Sequence, residues 1–172
     1  MEETKSPQQK KILFYKEKDP YGFMSNFYKR PIELNDQIWP TTEHYFQAMK
    51  YPSLPEYREK IRVQKSCMII KRMGQKREGF RADWEKVKEQ IMKDCLIAKF
   101  TQNKDLQNEL LNTGDAILVE HTKNDKYWGD GGDGGNGTIG KNALGKILQQ
   151  VRSELRQALK EETPKQGAAE LK

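Results

Sequence analysis

Ile32–Lys50 reads IELNDQIWPTTEHYFQAMK. Ile32 and Leu34 alternate with polar neighbours, Asn35-Asp36 supplies turn residues, and Ile38-Trp39 follow, which predicts a hairpin over Pro31–Pro40. Thr41 and Thr42 are good N-cap residues for a helix running to about Lys50, and Tyr51-Pro52 stops it. Working outward, Ile12–Tyr15 is a short apolar run suited to a strand. Pro55 opens a helix through about Val63, and Ser66 begins another to about Lys76. Asp83 caps a longer helix over Trp84–Phe100, whose inward face is predicted to carry Trp84, Val87, Ile91, Cys95 and Ala98. Lys104–Asn112 is helical, with Leu106 and Leu110 inward and Thr113-Gly114 as its stop. A strand is expected over Ala116–His121, and Asn142 caps a final helix with Leu144, Ile147, Leu148, Val151 and Leu155 on one side. Segregated short strands and helices make the fold class α+β, a compact, mainly helical single domain.

The chain has 172 residues, of which 35% are hydrophobic, and no apolar run approaches the ~20 residues of a membrane span. Its first thirty residues carry no signal-peptide pattern. Two cysteines, Cys67 and Cys95, are too few for a disulfide framework, so a reducing, intracellular setting is expected, cytoplasmic or nuclear. The two histidines, His44 and His121, have no neighbouring cysteine; neither a metal nor a cofactor is expected. Residues 1–10 and 160–172 read as disordered tails around a folded unit over 11–159.

The net charge of +6 is unevenly spread: Arg58–Lys99 holds 13 Lys or Arg against 6 Asp or Glu. The remainder is close to neutral. A basic segment suits an anionic partner such as a nucleotide or nucleic acid, although lysines chosen for helix solubility give the same count.

Three clusters can carry chemistry. On a helix, Glu43 and Lys50 lie about 700° apart, so both project from one face with Gln47 between them. Such a carboxylate–ammonium stripe can work on a bound sugar from two sides; a helix-start Glu and an unrelated surface Lys would look the same. The second cluster, Asn124–Gly137, precedes the final helix, and eight of the thirteen glycines fall within Gly129–Gly145. That density lets backbone N–H groups approach phosphate oxygens, with the helix N-terminus completing an anion site; the bland alternative is a flexible loop. It matches neither the P-loop nor the dinucleotide fingerprint. In the third, Gly22–Tyr28, Ser25 and Asn26 can read polar ligand edges while Phe27 or Tyr28 stacks on a base; a hydrophobic plug is equally compatible.

In this order the clusters resemble the NADAR superfamily of YbiA-like N-glycosidases. The resemblance rests on Phe14-Tyr15, Ser25-Asn26-Phe27, Trp39 to Ala48, Lys50, Trp84, Met92, Lys99-Phe100, Asn103, Leu110-Leu111, Thr113-Gly114-Asp115, Val119-Glu120, Asp125, Trp128-Gly129, Asn142 to Gly145, and Val151-Arg152. It spans about residues 12–156, and it departs from the family over Asp130–Lys141, where this chain is glycine-rich and extended.

The resemblance implies an α+β fold and cleavage of N-glycosidic bonds in phosphorylated ribosides. Two substrate classes are implied: ADP-ribose on guanine in nucleic acid, and ribosylamino-pyrimidine phosphates of early riboflavin synthesis. Glu43, Trp84 and Asp125 match the family's functional residues. With Lys50 they form the expected catalytic set, Lys50 being placed to attack an anomeric carbon. Ser25, Asn26, Phe27, Gln47, Trp128, Gly129, Asn142 and Gly145 are expected to contact substrate, with Arg72 and Arg77 near its phosphates. The basic segment favours the guanine-linked ADP-ribose of DNA, acted on by a monomer without a membrane partner. A reader that binds ADP-ribose without cleaving it, and an interaction protein using the basic patch alone, are the rival classes. Neither needs the Glu43/Lys50 stripe.

Overall fold

The structure, a computed structural model, describes residues 9–167. Residues 1–8 and 168–172, both expected to be tails, lie outside the described residues. In chain order the elements are β1 (Lys11–Phe14), β2 (Ile32–Leu34), β3 (Gln37–Trp39), α1 (Thr42–Ala48), α2 (Pro55–Val63), α3 (Cys67–Met73), α4 (Trp84–Gln102), α5 (Lys104–Asn112), β4 (Ile117–Glu120) and α6 (Ala143–Gly167). The class is α+β, as the sequence predicts. The expected C-terminal tail from Lys160 is helical as far as Gly167. Among the described residues no helix is long and apolar enough to cross a membrane. The chain packs as two units, one over residues 16–108 and one made of its two ends, up to residue 15 and from residue 109.

In the unit over 16–108, β2 and β3 pair antiparallel through a turn with Asn35 and Asp36 at φ 54° and 59°. Two consecutive left-handed residues are what a tight hairpin of this hand requires, and Asn and Asp tolerate them. Trp39 folds back, its Nε1 donating to the Leu34 carbonyl at 3.1 Å. Thr41 then caps α1, accepting from the His44 N–H. Every residue of α1 is buried, because α2, α3 and α4 pack around it.

His44 is fixed at both ring nitrogens. Nε2 sits 2.7 Å from the Gln64 carbonyl and Nδ1 2.7 Å from the Thr41 hydroxyl. A carbonyl only accepts, so Nε2 carries the proton and Nδ1 accepts from Thr41. Burial holds the ring's pKa below its ordinary value. His44 thus ties the start of α1 to the end of α2.

The inward face of α4 differs from the predicted one. Trp84, Lys88, Met92, Cys95, Leu96 and Lys99 are buried, while Val87 and Ile91 are only half-buried. Lys99 is 1% exposed; its ammonium donates to the Ser25 carbonyl at 3.0 Å and lies 5.5 Å from the Tyr28 and Phe100 ring centres. Backbone dipole and aromatic faces repay part of what burying that charge costs. Burial drives its pKa down to about 7, with Arg30 adding to the fall and Cys95 opposing it.

Lysine in the unfolded chain titrates near 10.5. Above pH 7 the unfolded state therefore holds a proton that the folded state has released, and stability rises with pH. The window closes near pH 9, where an unfolded cysteine begins to ionise while burial keeps the Cys95 thiol protonated. The expected result is a higher urea midpoint at pH 8.5 than at pH 6.5. Lys99→Met should flatten that rise, and an unchanged slope in that variant would contradict the assignment.

In the other unit, β1 and β4 pair in parallel and α6 packs on β4. Arg152 on α6 is buried and donates to the Thr113 hydroxyl at 2.8 Å and the Ala116 carbonyl at 2.9 Å, fixing the turn that leads into β4.

Candidate active site

The Glu43, Gln47 and Lys50 side chains are held by a short helix and the turn that ends it. α1 stops at Ala48, and Lys50 follows in a tightened turn, its N–H bonding the Gln47 carbonyl. Glu43 is 6% exposed and accepts from Gln47 Nε2 at 2.8 Å. Gln47 Oε1 is buried with no hydrogen-bond partner among the described residues. An orphaned amide oxygen in this position is costly, since its desolvation is not repaid.

Lys50 is ringed by aromatic groups. Its ammonium lies 5.6 Å from the Phe46 ring centre, 5.9 Å from Phe80 and 5.3 Å from Trp84. It also donates to the Gly74 carbonyl at 3.3 Å. Burial pulls its pKa below the ordinary lysine value, Glu43 opposes that fall, and Lys71 and Lys88 add to it. A desolvated lysine with cations near it is the usual environment of an amine that acts as a nucleophile. Trp84, at the first position of α4, packs edge-on against Phe46 at 5.0 Å and Phe80 at 6.0 Å, so it walls the ammonium.

The sequence points to Glu43, Gln47, Lys50 and Trp84 but not to Phe80, Lys88 or Gly74. Gly74 ends α3 against this stripe. A Cβ there would stand 1.8 Å from Gln47 Oε1 and 3.2 Å from Lys50 Nζ. Gly74→Ala should therefore push the Gln47 amide away from Glu43. The amide end is flexible, so the thermal midpoint should move little. The rate should fall by an order of magnitude or more, as a small misplacement of a positioning side chain does. Turnover unchanged in that variant would show that the Gln47–Glu43 contact does not matter.

Ser25 and Asn26 have work inside the fold. Ser25 Oγ accepts from the Phe27 N–H at 3.2 Å. The Asn26 carbonyl accepts from the Glu43 N–H at 3.2 Å, and its Oδ1 accepts from the Thr42 hydroxyl at 2.9 Å. Asn26 Nδ2 points to Met92 Sδ. Lys99 holds Ser25, and Asn26 in turn holds the start of α1. The segment thereby orients Glu43. Phe27 is half-buried beside them.

The remaining predicted residues lie in the unit of the chain ends. Asp125 Oδ1 accepts from the Tyr127 and Trp128 N–H groups at 2.9 and 2.8 Å, shaping the loop that presents Trp128. The Tyr127 and Trp128 rings meet edge-on at 5.1 Å. Asn142, at φ 53°, accepts from the Glu120 N–H at 3.0 Å and donates to the Leu118 carbonyl at 2.8 Å. Gly145 lets α6 approach β4: a Cβ there would be 2.0 Å from the Leu118 oxygen. Gly129 is pressed similarly against Thr122 and the Asp125 carbonyl.

The glycine loop does collect backbone N–H groups around negative charge, but the charge is its own. Asp130, fully buried, accepts from the N–H groups of Thr122, Gly132, Gly134 and Gly135 and faces His121 Nδ1 at 2.7 Å. Asp133 accepts from Gly135, Asn136, Thr138 and Ile139. These bonds hold the Asp133 carboxyl far below the usual carboxylate range. At the start of α6, Ala143 and Leu144 donate to the Tyr127 and Trp128 carbonyls. Many of the amides that the sequence offers to a phosphate are therefore held by two internal carboxylates. No group of three or more His, Cys, Asp or Glu among the described residues could hold a metal.

The NADAR domain matches residues 13–156. The chain belongs to the NADAR family. N-glycosidase YbiA of Escherichia coli is 50% identical over 145 residues, covering 84% of this chain and 88% of that protein. A riboflavin biosynthesis protein of Vibrio vulnificus is 36% identical over 146 residues, which are 85% of this chain and 39% of that protein. The NMR structure of Escherichia coli YbiA superposes with a TM-score of 0.77 at 48% identity, covering 88% of each chain. This NADAR protein is accordingly an N-glycosidase, a hydrolase of the glycosylase type.

Proposed function

We propose that this NADAR protein hydrolyses the N-glycosidic bond joining a phosphorylated ribose to a base, and that its substrate is ADP-ribose attached to guanine in DNA. The observation that carries the reading is the Glu43–Gln47–Lys50 stripe, with Lys50 desolvated among Phe46, Phe80 and Trp84. A module that only reads ADP-ribose needs no such amine.

Glu43 donates a proton to the leaving base, whose nitrogen departs with the bonding pair. The Lys50 amine bonds the anomeric carbon; the bond from that carbon to the ring oxygen then breaks, the oxygen taking a proton from the nitrogen, and an imine results. Water, deprotonated by Glu43, adds to that carbon and releases the sugar and the free lysine. Trp84 walls the sugar, with Phe27 as a candidate for stacking on the base. Direct attack by water, with Lys50 only pairing Glu43, is the competing route.

The DNA substrate is favoured by charge. The basic excess of residues 58–99 falls on and between α2, α3 and α4, and of its thirteen cations only Lys88 and Lys99 are buried. The others are at least partly exposed and suit a phosphate backbone. A second reading, in which the substrate is an early ribosylamino-pyrimidine phosphate, is favoured by the name of the Vibrio vulnificus relative. Side-by-side assays separate the two. Guanine-linked ADP-ribosylated DNA should be cleaved faster than the pyrimidine riboside phosphate, and its binding should weaken as salt rises. Cleavage of the small riboside alone would select the second reading, and salt-independent action on DNA would remove the role of the patch.

A further inference from the structure

Beside the Lys50 cage lies a cavity of about 420 Å³ lined by Gln75, Arg77, Phe80, Arg81, Trp84 and Glu85. Its size falls in the ~300–1,000 Å³ range of small-molecule sites. Phe80 and Trp84 are shared: the same two rings bracket the Lys50 ammonium. Whatever fills the cavity is therefore one aromatic wall away from the amine.

The charges around the cavity are unequally committed. Arg81 is tied down by Asp83, Nε to Oδ1 at 2.6 Å and a second nitrogen to Oδ2 at 3.0 Å. Glu85 is neutralised by an ion pair with Lys88. Arg77 is exposed, and its guanidinium makes no hydrogen bond or ion pair among the described residues. The cavity thus presents one uncommitted guanidinium and the Gln75 amide above an aromatic floor. A planar fork of donors matches two oxygens of a phosphate at once, which a neutral or single-point donor does not.

We infer that this cavity is the phosphate subsite of the enzyme, with Arg77 as the group that grips the phosphate on the ribose 5′ carbon while the anomeric carbon faces Lys50. The assignment rests on the N-glycosidase reading above. It makes Arg77 a specificity residue that separates phosphorylated ribosides from free nucleosides. The shared chemistry is a phosphate on ribose, borne either by a monophosphate or by the diphosphate of ADP-ribose.

Calorimetric titration of the full chain with ribose 5-phosphate and with ADP-ribose tests it, alongside NMR of the Trp84 indole N–H. Wild type should bind with a shift of that resonance. Arg77→Gln should keep the wild-type thermal midpoint and lose about 10–100-fold in affinity, the span of a charge-assisted hydrogen bond. Arg77→Lys should recover part of the loss. A loss for both ligands assigns the cavity to a monophosphate, and a loss for ADP-ribose alone assigns it to a diphosphate. Wild-type affinity in Arg77→Gln, no binding of either ligand by wild type, or binding that leaves the Trp84 resonance unmoved would each overturn the subsite. None of these readouts uses turnover. Failure of wild type to cleave any riboside would instead defeat the N-glycosidase reading and leave the binding result standing.

Discussion

Glu43→Gln should reduce cleavage by about 10²–10⁴-fold, the range a positioned acid or base contributes, while the chain stays folded. The substitution keeps the side chain's size, and an amide at this position can still accept from Gln47 Nε2, as the carboxylate does at 2.8 Å. Glu43 is buried, and the α1 N-terminus is held from outside the side chain by Asn26 and Thr41. Fold and activity should therefore separate in this variant. Single-turnover rates with circular dichroism and thermal unfolding check it. Near-wild-type turnover would remove Glu43 from the chemistry, and unfolding would make its role structural.

Lys50→Ala should cost roughly 10³-fold or more, because removing one member of a cooperating pair forfeits most of what the pair does. Lys50→Arg should be equally inactive: it keeps a cation among Phe46, Phe80 and Trp84 but cannot form an imine. Water attack predicts the opposite for arginine, since an ion-pair partner for Glu43 survives. In the proposed imine route the neutral amine attacks; because burial lowers the Lys50 pKa, that route predicts a kcat/KM that rises with pH through a value below that of ordinary lysine. A pH profile without that acid limb would favour water.

The parts of the fold fixed by adjacent residues were legible in the sequence. Asn35-Asp36 announces the hairpin turn, Thr41 caps α1, and Pro55 opens α2. Their signals need only the local backbone. The face of α4 was not legible, because Lys88 and Lys99 read as solvent residues until Ser25 and the surrounding rings are in place to receive Lys99. The glycine loop was half legible. Its density of N–H groups was visible, but the occupant is a pair of aspartates from within the loop, which an anion-site pattern does not distinguish from a bound phosphate. Lys160–Gly167 shows the limit of composition, since a polar stretch without an apolar face continues α6.

The candidate site divides in the same way. Glu43, Gln47 and Lys50 share a stripe by spacing alone, although α1 ends before Lys50 and a tightened turn carries it. Phe80 and Gly74 come from segments more than twenty residues away, so no local pattern could name them. Their nearness follows from α3 and the chain after it packing back on α1.

The most direct test is borohydride reduction of the enzyme during turnover of guanine-linked ADP-ribosylated DNA, followed by peptide mapping. An imine between Lys50 and the opened ribose would be reduced to a stable secondary amine. The result expected is a ribosyl-derived mass on the peptide containing Lys50, absent from Lys50→Arg. No adduct on that peptide, together with an active Lys50→Ala enzyme, would contradict the covalent role of Lys50.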